Sequence, residues 1–350
     1  MSMKALFLRD NKRLSLEDTE RPVLKGPQDV IVKVTASSIC GSDIHFWQGG
    51  LPCLPDFILG HEFVGVIEEA GDNVRLFKAG DRVAVPANPY CGVCPNCKEG
   101  KVYACAMKSM FGGGKLLGDL PGAQAEYVLV PVADACLVPI PDHVSDKEAL
   151  LVGDVLSTGY FAALNGSLWP GADIAIFGAG PVGLCALACA RLFSPARIFL
   201  VDVEDYRLEV GLAMGATRVI HSGRDRAVKE IKRLTGGRGV DLAIDAVGLQ
   251  DTFHAAISSA AQGGVVSLVG IGPPSLDFPA AKFFFKNLTL KAGLVPLTNM
   301  STLMKLIAEG RLDVTPLFTH QVTLSNIIEG YHIFKDKRDN CIKVMVTPDC

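Results

Sequence analysis

At 350 residues, 49% hydrophobic and 20% charged, the chain has globular composition and the length of two domains. A formal net charge of −3 gives no electrostatic reason to expect nucleic acid or an anionic membrane as a partner. No apolar run reaches bilayer-spanning length, and Met1 to Asp10 meets charge too soon for a secretory signal, so a cytoplasmic location is expected.

Met1 to Asp10 reads instead as a first strand. Val30–Val34, Phe63–Ile67 and Asp81–Val85 read as further short strands between Gly and Pro turns, which predicts a compact β-rich domain. Cys91, Cys94, Cys97 and Cys105 follow, at intervals of three, three and eight residues. Four thiolates so spaced can converge on one tetrahedral zinc, the geometry of a closed structural site. The intervening Gly92 and Pro95 favour a knuckle-like loop. Eleven cysteines in a chain without a secretory signal favour free thiols and metal ligands over disulfides.

From about residue 155 strands alternate with helices. Asp173–Phe177, Arg197–Val201, Arg218–Ile220, Asp241–Asp245 and Gly264–Val269 read as strands. Val182–Leu192, Tyr206–Met214 and Ala227–Leu234 read as helices. Such alternation implies a doubly wound parallel sheet, so the fold class is α/β. Gly178-Ala179-Gly180-Pro181-Val182-Gly183 is a G-x-G-x-x-G run between a strand and a helix, the context that makes it a dinucleotide fingerprint. The first glycine permits the tight turn, the second lets backbone approach a pyrophosphate, and the third lets helix pack on strand. Asp202 ends the next strand, placed to accept the ribose hydroxyls and to repel a 2′-phosphate, which predicts NAD over NADP. The tail carries helices at Met300–Glu309 and Ser325–Phe334, and a strand at Cys341–Val346 expected to return to the first domain. The expected division is 1–154 with 295–350, and 155–294.

The segments Cys40-Gly41-Ser42-Asp43-Ile44-His45, Gly60-His61-Glu62-Phe63-Val64-Gly65 and Gly80-Asp81-Arg82-Val83 carry more. With the four-cysteine lobe, Asp154 through Thr158-Gly159 and the Gly178 fingerprint, they resemble the zinc-containing medium-chain alcohol dehydrogenases over essentially the whole chain. The resemblance implies a GroES-like catalytic domain and a Rossmann NAD-binding domain. It implies two zincs per chain: a structural one in the lobe, and a catalytic one held by Cys40, His61 and Asp154 with one position open. Glu62 is then either an exchanging ligand or an outer group. Taken singly each of these residues has an ordinary structural explanation. The resemblance gives Ser42 the substrate proton, with a path through the nicotinamide ribose to His45, whose ordinary pKa near neutrality suits it. It places Thr158, Val269 and Ile271 near the nicotinamide, Arg207 at the adenosine ribose and Lys343 at the pyrophosphate. Phe46, Trp47, Leu51, Ala87 and Met110 are pocket candidates.

Aspartate at 154 departs from the liver-type enzymes, which carry cysteine there. It is similar to bacterial secondary alcohol dehydrogenases and to formaldehyde dehydrogenases, while the sorbitol-like branch carries glutamate. The expected activity is hydride transfer between NAD and a secondary alcohol, diol or polyol. The alternatives are a zinc-free quinone or enone reductase of the same fold and a formaldehyde dehydrogenase or dismutase. A homotetramer or homodimer is expected.

Overall fold

Val30–Ser38 is rich in β-branched residues and buried along nearly its whole length, as a strand covered on both faces must be. It pairs antiparallel with three partners: Phe63–Ala70 along its length, Tyr127–Val130 at its start and Lys343–Thr347 at its end. Arg82–Val85 and Val138–Pro139 extend the sheet on one side, and Phe318–Thr323 lies parallel to Lys343–Thr347 on the other. A second sheet joins Ser2–Arg9 to Arg13–Glu20 and Phe57–Ile58. Phe63 and Phe111 meet edge to face, with ring centroids 5.2 Å apart, in a core that also takes Val32, Ile67 and Val128.

The computed structural model describes residues 2–272 and 274–349. The chain divides into two units, Met1–Ser157 with Pro296–Cys350, and Thr158–Val295. The first is the GroES-like β-rich domain and the second the Rossmann-like domain. The C-terminal strand does return to the first unit, where Met345 faces Ser38.

Among the described residues the second unit holds a parallel sheet of six strands. In chain order these are Asp173–Phe177, Arg197–Asp202, Arg218–His221, Val240–Asp245, Ala260–Leu268 and Thr289–Ala292, arranged 3-2-1-4-5-6. The order reverses between the first and fourth strands, the switch point where such sheets bind dinucleotides beyond their carboxyl ends. Helix Pro181–Arg191 begins with proline at its first turn and lays small residues against the sheet. On the opposite end of the sheet, Arg197 forks onto the Asp173 carboxylate at 2.7 and 2.6 Å.

Several elements differ from the sequence expectation. The fifth strand starts at Ala260 rather than Gly264, because Ala260 pairs with Val240 and draws a Gly-Gly segment of low strand propensity into the ladder. Helices Gln250–Ser259 and Ala280–Lys286 and the edge strand Thr289–Ala292 have no counterpart in it. No helix of the described residues is long and apolar enough to cross a membrane.

Phe111 is fully buried against Phe63, so truncation leaves a cavity at the centre of the first unit. Phe111→Ala is expected to destabilise that unit by about 3–5 kcal/mol, read as a lower urea midpoint.

Candidate active site and structural metal centre

Register brings the candidate metal ligands together. Ser37 pairs with Phe63, and Ser38 with Met345. Cys40 just beyond one strand, His61 and Glu62 just before the next, and Lys343 opening a third therefore share one end of the sheet. Asp154 immediately precedes helix Val155–Asn165. Cys40 Sγ lies 3.7 Å from Asp154 Oδ2, His61 Nε2 lies 3.4 Å from the same oxygen, and all three ligand atoms fall within 4.8 Å of one another. A tetrahedral zinc with bonds of ~2.3 Å to sulfur and ~2.0 Å to nitrogen and oxygen has ligand–ligand edges of ~3.3–3.5 Å, so the trio fits that ion with little movement.

The electrostatics agree. Burial, reinforced by the Glu62 charge, pushes the Cys40 thiol up, so a thiolate there calls for a cation. Burial also opposes charge on Asp154, yet the hydrogen bond and charge of His61, with Lys343 and Cys40, hold its pKa below the ordinary value. Behind His61, Asp43 Oδ1 lies 3.2 Å from Nδ1 at ion-pair distance, without hydrogen-bond alignment, leaving Nε2 for the metal. Asp43 Oδ2 accepts from the backbone N–H of Cys40 at 2.9 Å, reaching back over the first turn of helix Gly41–Gln48.

Glu62 stands outside the trio. Its Oε2 accepts from Lys343 Nζ at 2.5 Å and from the Ser38 hydroxyl, while its buried Oε1 has no hydrogen-bond partner among the described residues. Lys343 is itself fully buried; burial works against its charge, but Glu62 and then Cys40 raise its pKa above the ordinary value. The structure thus directs Lys343 at Glu62, a pairing 281 residues apart that no local pattern signals. Ser42 Oγ lies 3.1 Å from His61 Nε2, at the point where the trio converges. His45 follows Ser42 by three residues on the same helix, hence on the same side.

The pocket candidates divide. Phe46 belongs to the core, edge-on to Phe57 with centroids 6.0 Å apart. Trp47 turns to Tyr331, with its indole N–H on Lys12 O. Leu51 and Met110 pack on the same core. Ala87 is buried and donates its N–H to Gly153 O at 2.9 Å, which brings its backbone next to the residue before Asp154. A separate cavity of ≈ 640 Å³, lined by Leu76, Arg82, Tyr90, Cys136 and Met300 among others, includes none of the trio.

In the lobe, the sulfurs of Cys91, Cys94, Cys97 and Cys105 all lie within 4.8 Å of one another, with Cys91 and Cys97 4.0 Å apart. A zinc with four bonds of ~2.3 Å to sulfur has edges of ~3.8 Å, so this cluster also fits. Backbone N–H groups of Cys91 and Met107 point at Cys105 Sγ, and that of Cys94 at Cys91 Sγ. Backbone donors from Ala106 and Cys97 lower the Cys94 thiol to about 6, which favours the ligating thiolate.

In the Rossmann-like unit Gly178 takes a positive φ of 95°, and a Cβ on Gly183 would fall 1.8 Å from Gly178 O, so both positions exclude a side chain. Asp202 accepts from the N–H groups of Ala179 at 2.5 Å, Val203 at 2.7 Å and Glu204 at 3.0 Å, fixing its carboxylate at the fingerprint. Gly180, Pro181 and Val182 open the helix above it. Arg207 Nη1 lies 3.7 Å from where a Gly180 Cβ would stand, and Arg207 Nε donates to the Tyr206 hydroxyl at 3.0 Å. Thr158 is half-buried on helix Val155–Asn165, and Val269 and Ile271 follow the carboxyl end of the fifth strand. Sequence reasoning missed Asp43 and Ser38. Only Asp43, three residues beyond Cys40, had a signal to find: the spacing of a capping carboxylate.

Residues 26–142 match the family described as alcohol dehydrogenase GroES-like domain, and 181–309 match zinc-binding dehydrogenase. The chain is 35% identical to an alcohol dehydrogenase of Cupriavidus necator, covering 99% of both chains. It is 34% identical to a sorbitol dehydrogenase of Bacillus subtilis, over 99% of this chain and 98% of that one. A zinc dependent alcohol dehydrogenase 2 from Streptococcus pneumonia superposes with a TM-score of 0.92 at 38% identity, over 100% of this chain and 99% of that one. Two metal-fitting clusters and a dinucleotide fold make the chain a zinc- and NAD(P)-linked oxidoreductase. It belongs to the zinc-type medium-chain alcohol and sorbitol dehydrogenase-like family.

If Asp202 faces the adenosine ribose as the sequence predicts, Asp202→Gly is expected to lower the NAD-to-NADP ratio of kcat/KM by about tenfold or more. An unchanged ratio refutes the assignment.

Proposed function

We propose that the chain oxidises a secondary alcohol, diol or polyol to the ketone, passing hydride to NAD and releasing one proton, and catalyses the reverse reduction. The observation that carries this reading is the trio Cys40, His61 and Asp154 with the Ser42 hydroxyl 3.1 Å from His61 Nε2. Asp154 is 20% exposed while His61 is closed off at 1%, so the trio opens to solvent on the Asp154 side. A substrate hydroxyl entering there meets Ser42, which accepts its proton, and His45 on the same helix carries that proton toward water. The chemistry that bound zinc supplies is Lewis acidity, which lowers the pKa of water from about 15.7 to about 7; a like shift in an alcohol amounts to on the order of 12 kcal/mol.

The substrate class is supported by aspartate at 154 and by the sorbitol dehydrogenase among the relatives. Thr158, Val269 and Ile271 are assigned to the nicotinamide and Arg207 to the adenosine ribose; Lys343, buried against Glu62, is assigned to that pair rather than to the pyrophosphate. For assembly, we infer that a second copy covers the sheet edge at Thr289–Ala292. That strand pairs on one side alone among the described residues, and Phe284, Phe285 and Leu294 near it are 77%, 76% and 63% exposed.

A panel of primary, secondary and polyol alcohols with NAD, followed by NADH absorbance, is expected to show kcat/KM at least about tenfold higher for a secondary or polyol substrate. Asp154→Ala is expected to leave one zinc per chain and to lower kcat/KM by ~10³-fold. Fully zinc-loaded protein that reduces quinones and no ketone would overturn the reading. In size-exclusion chromatography with light scattering, Phe284→Glu with Leu294→Glu is expected to reduce the mass to one chain; an unchanged oligomer refutes the edge assignment.

A further inference from the structure

Behind the metal-fitting trio runs a chain of buried polar groups that ends in the C-terminal helix. Tyr331, on helix Ile327–Asp336, is fully buried and donates its hydroxyl proton to Gln124 Oε1 at 2.7 Å. Gln124, also fully buried, donates from Nε2 to Ser38 O and to Asp43 Oδ2, both at 3.3 Å. Asp43 in turn accepts the Cys40 N–H at 2.9 Å through Oδ2 and faces His61 Nδ1 at 3.2 Å through Oδ1. The direction of every bond is forced. A backbone carbonyl and a carboxylate only accept, so the amide nitrogen of Gln124 must face them and its oxygen must face Tyr331. The phenol therefore has to donate.

The packing leaves Gln124 no freedom. A Cβ on Gly60, next to His61, would fall 2.6 Å from Gln124 Cγ and 2.7 Å from its backbone nitrogen. Leu6 N–H bonds to Gln124 O at 2.8 Å, and Gln124 N–H to Leu59 O at 2.9 Å. The amide is thus clamped against the His61 segment while its side chain spans from Tyr331 to Asp43. Tyr331 and Gln124 are 207 residues apart, so only the tertiary fold forms this link.

We propose that Tyr331 and Gln124 are positioning residues for the catalytic metal. Neither touches the metal or the substrate. Together they fix the Asp43 carboxylate, which sets the backbone of one ligand, Cys40, and the imidazole plane of another, His61. The proposal rests on the zinc reading of the trio given above. Groups bonded directly to a metal ligand alter metal affinity by about 10–100-fold; Asp43 is such a group, and Gln124 and Tyr331 act through it.

Tyr331→Phe removes the hydroxyl and keeps the ring, which packs edge-on to Trp47 at 5.8 Å. Gln124→Met removes both amide groups at similar volume. Zinc release to a chromophoric chelator is expected to speed up about tenfold or more for one of the two zincs in each variant, with the four-cysteine zinc unchanged. The visible absorption of the cobalt-substituted catalytic site is expected to shift, and kcat to fall with little change in KM. The double variant is expected to equal Gln124→Met, because the two residues act in series. Folded variants with wild-type zinc release and cobalt spectra, or with both zincs loosened alike, overturn the proposal. Should Tyr331→Phe fail to fold, Gln124→Met decides by the same readings. Wild-type protein that takes up metal only in the cysteine lobe would overturn the zinc reading itself, a separate outcome.

Discussion

A thiol, an imidazole and a carboxylate packed within a few ångströms at one end of a buried sheet form an arrangement that is costly without positive charge. Cys40 and Asp154 are two groups that a low-dielectric setting disfavours as anions, with Glu62 a third beside them. The chain supplies part of the answer itself: Lys343, fully buried, pairs with Glu62 and adds a cation on the inner side. The remaining charge is what a divalent metal brings. The rest of the first unit is arranged so that these groups arrive together and stay there.

Strand register does most of the arranging. Three chain segments meet at the end of Val30–Ser38, and each contributes its functional residue at or just past the last paired position. A one-residue slip in any of them would turn alternate side chains to the opposite face and separate the ligands. The returning strand Lys343–Thr347 matters twice, since it closes the sheet and delivers the buried lysine. The cysteine lobe is the contrary case. Its four ligands lie within one short loop whose backbone N–H groups already point at sulfur, so its geometry is nearly local.

The Rossmann-like unit follows the same division between local and distant causes. The turn at Gly178 and the close approach at Gly183 are consequences of a six-residue pattern. Asp202, 23 residues from Ala179, binds its N–H because adjacent parallel strands end side by side. Its carboxylate thereby ties the fingerprint turn to the next strand.

Much was legible in the residues alone. The cysteine spacing, the glycine fingerprint, the strand–helix alternation and the family-like segments around Cys40 and His61 each depend on neighbours close in the chain. Local chemistry therefore determined the two kinds of fold, the structural metal cluster and the dinucleotide turn. The grouping of Cys40, His61 and Asp154 needed the resemblance, because 114 residues separate the first from the last. Tertiary structure alone decided the rest: that Glu62 faces Lys343, that Trp47 turns to Tyr331 rather than lining a pocket, and that Gln124 links Tyr331 to Asp43. These are contacts between segments distant in sequence, set by register and packing, and no periodicity or spacing encodes which distant side chain will fill a given buried space.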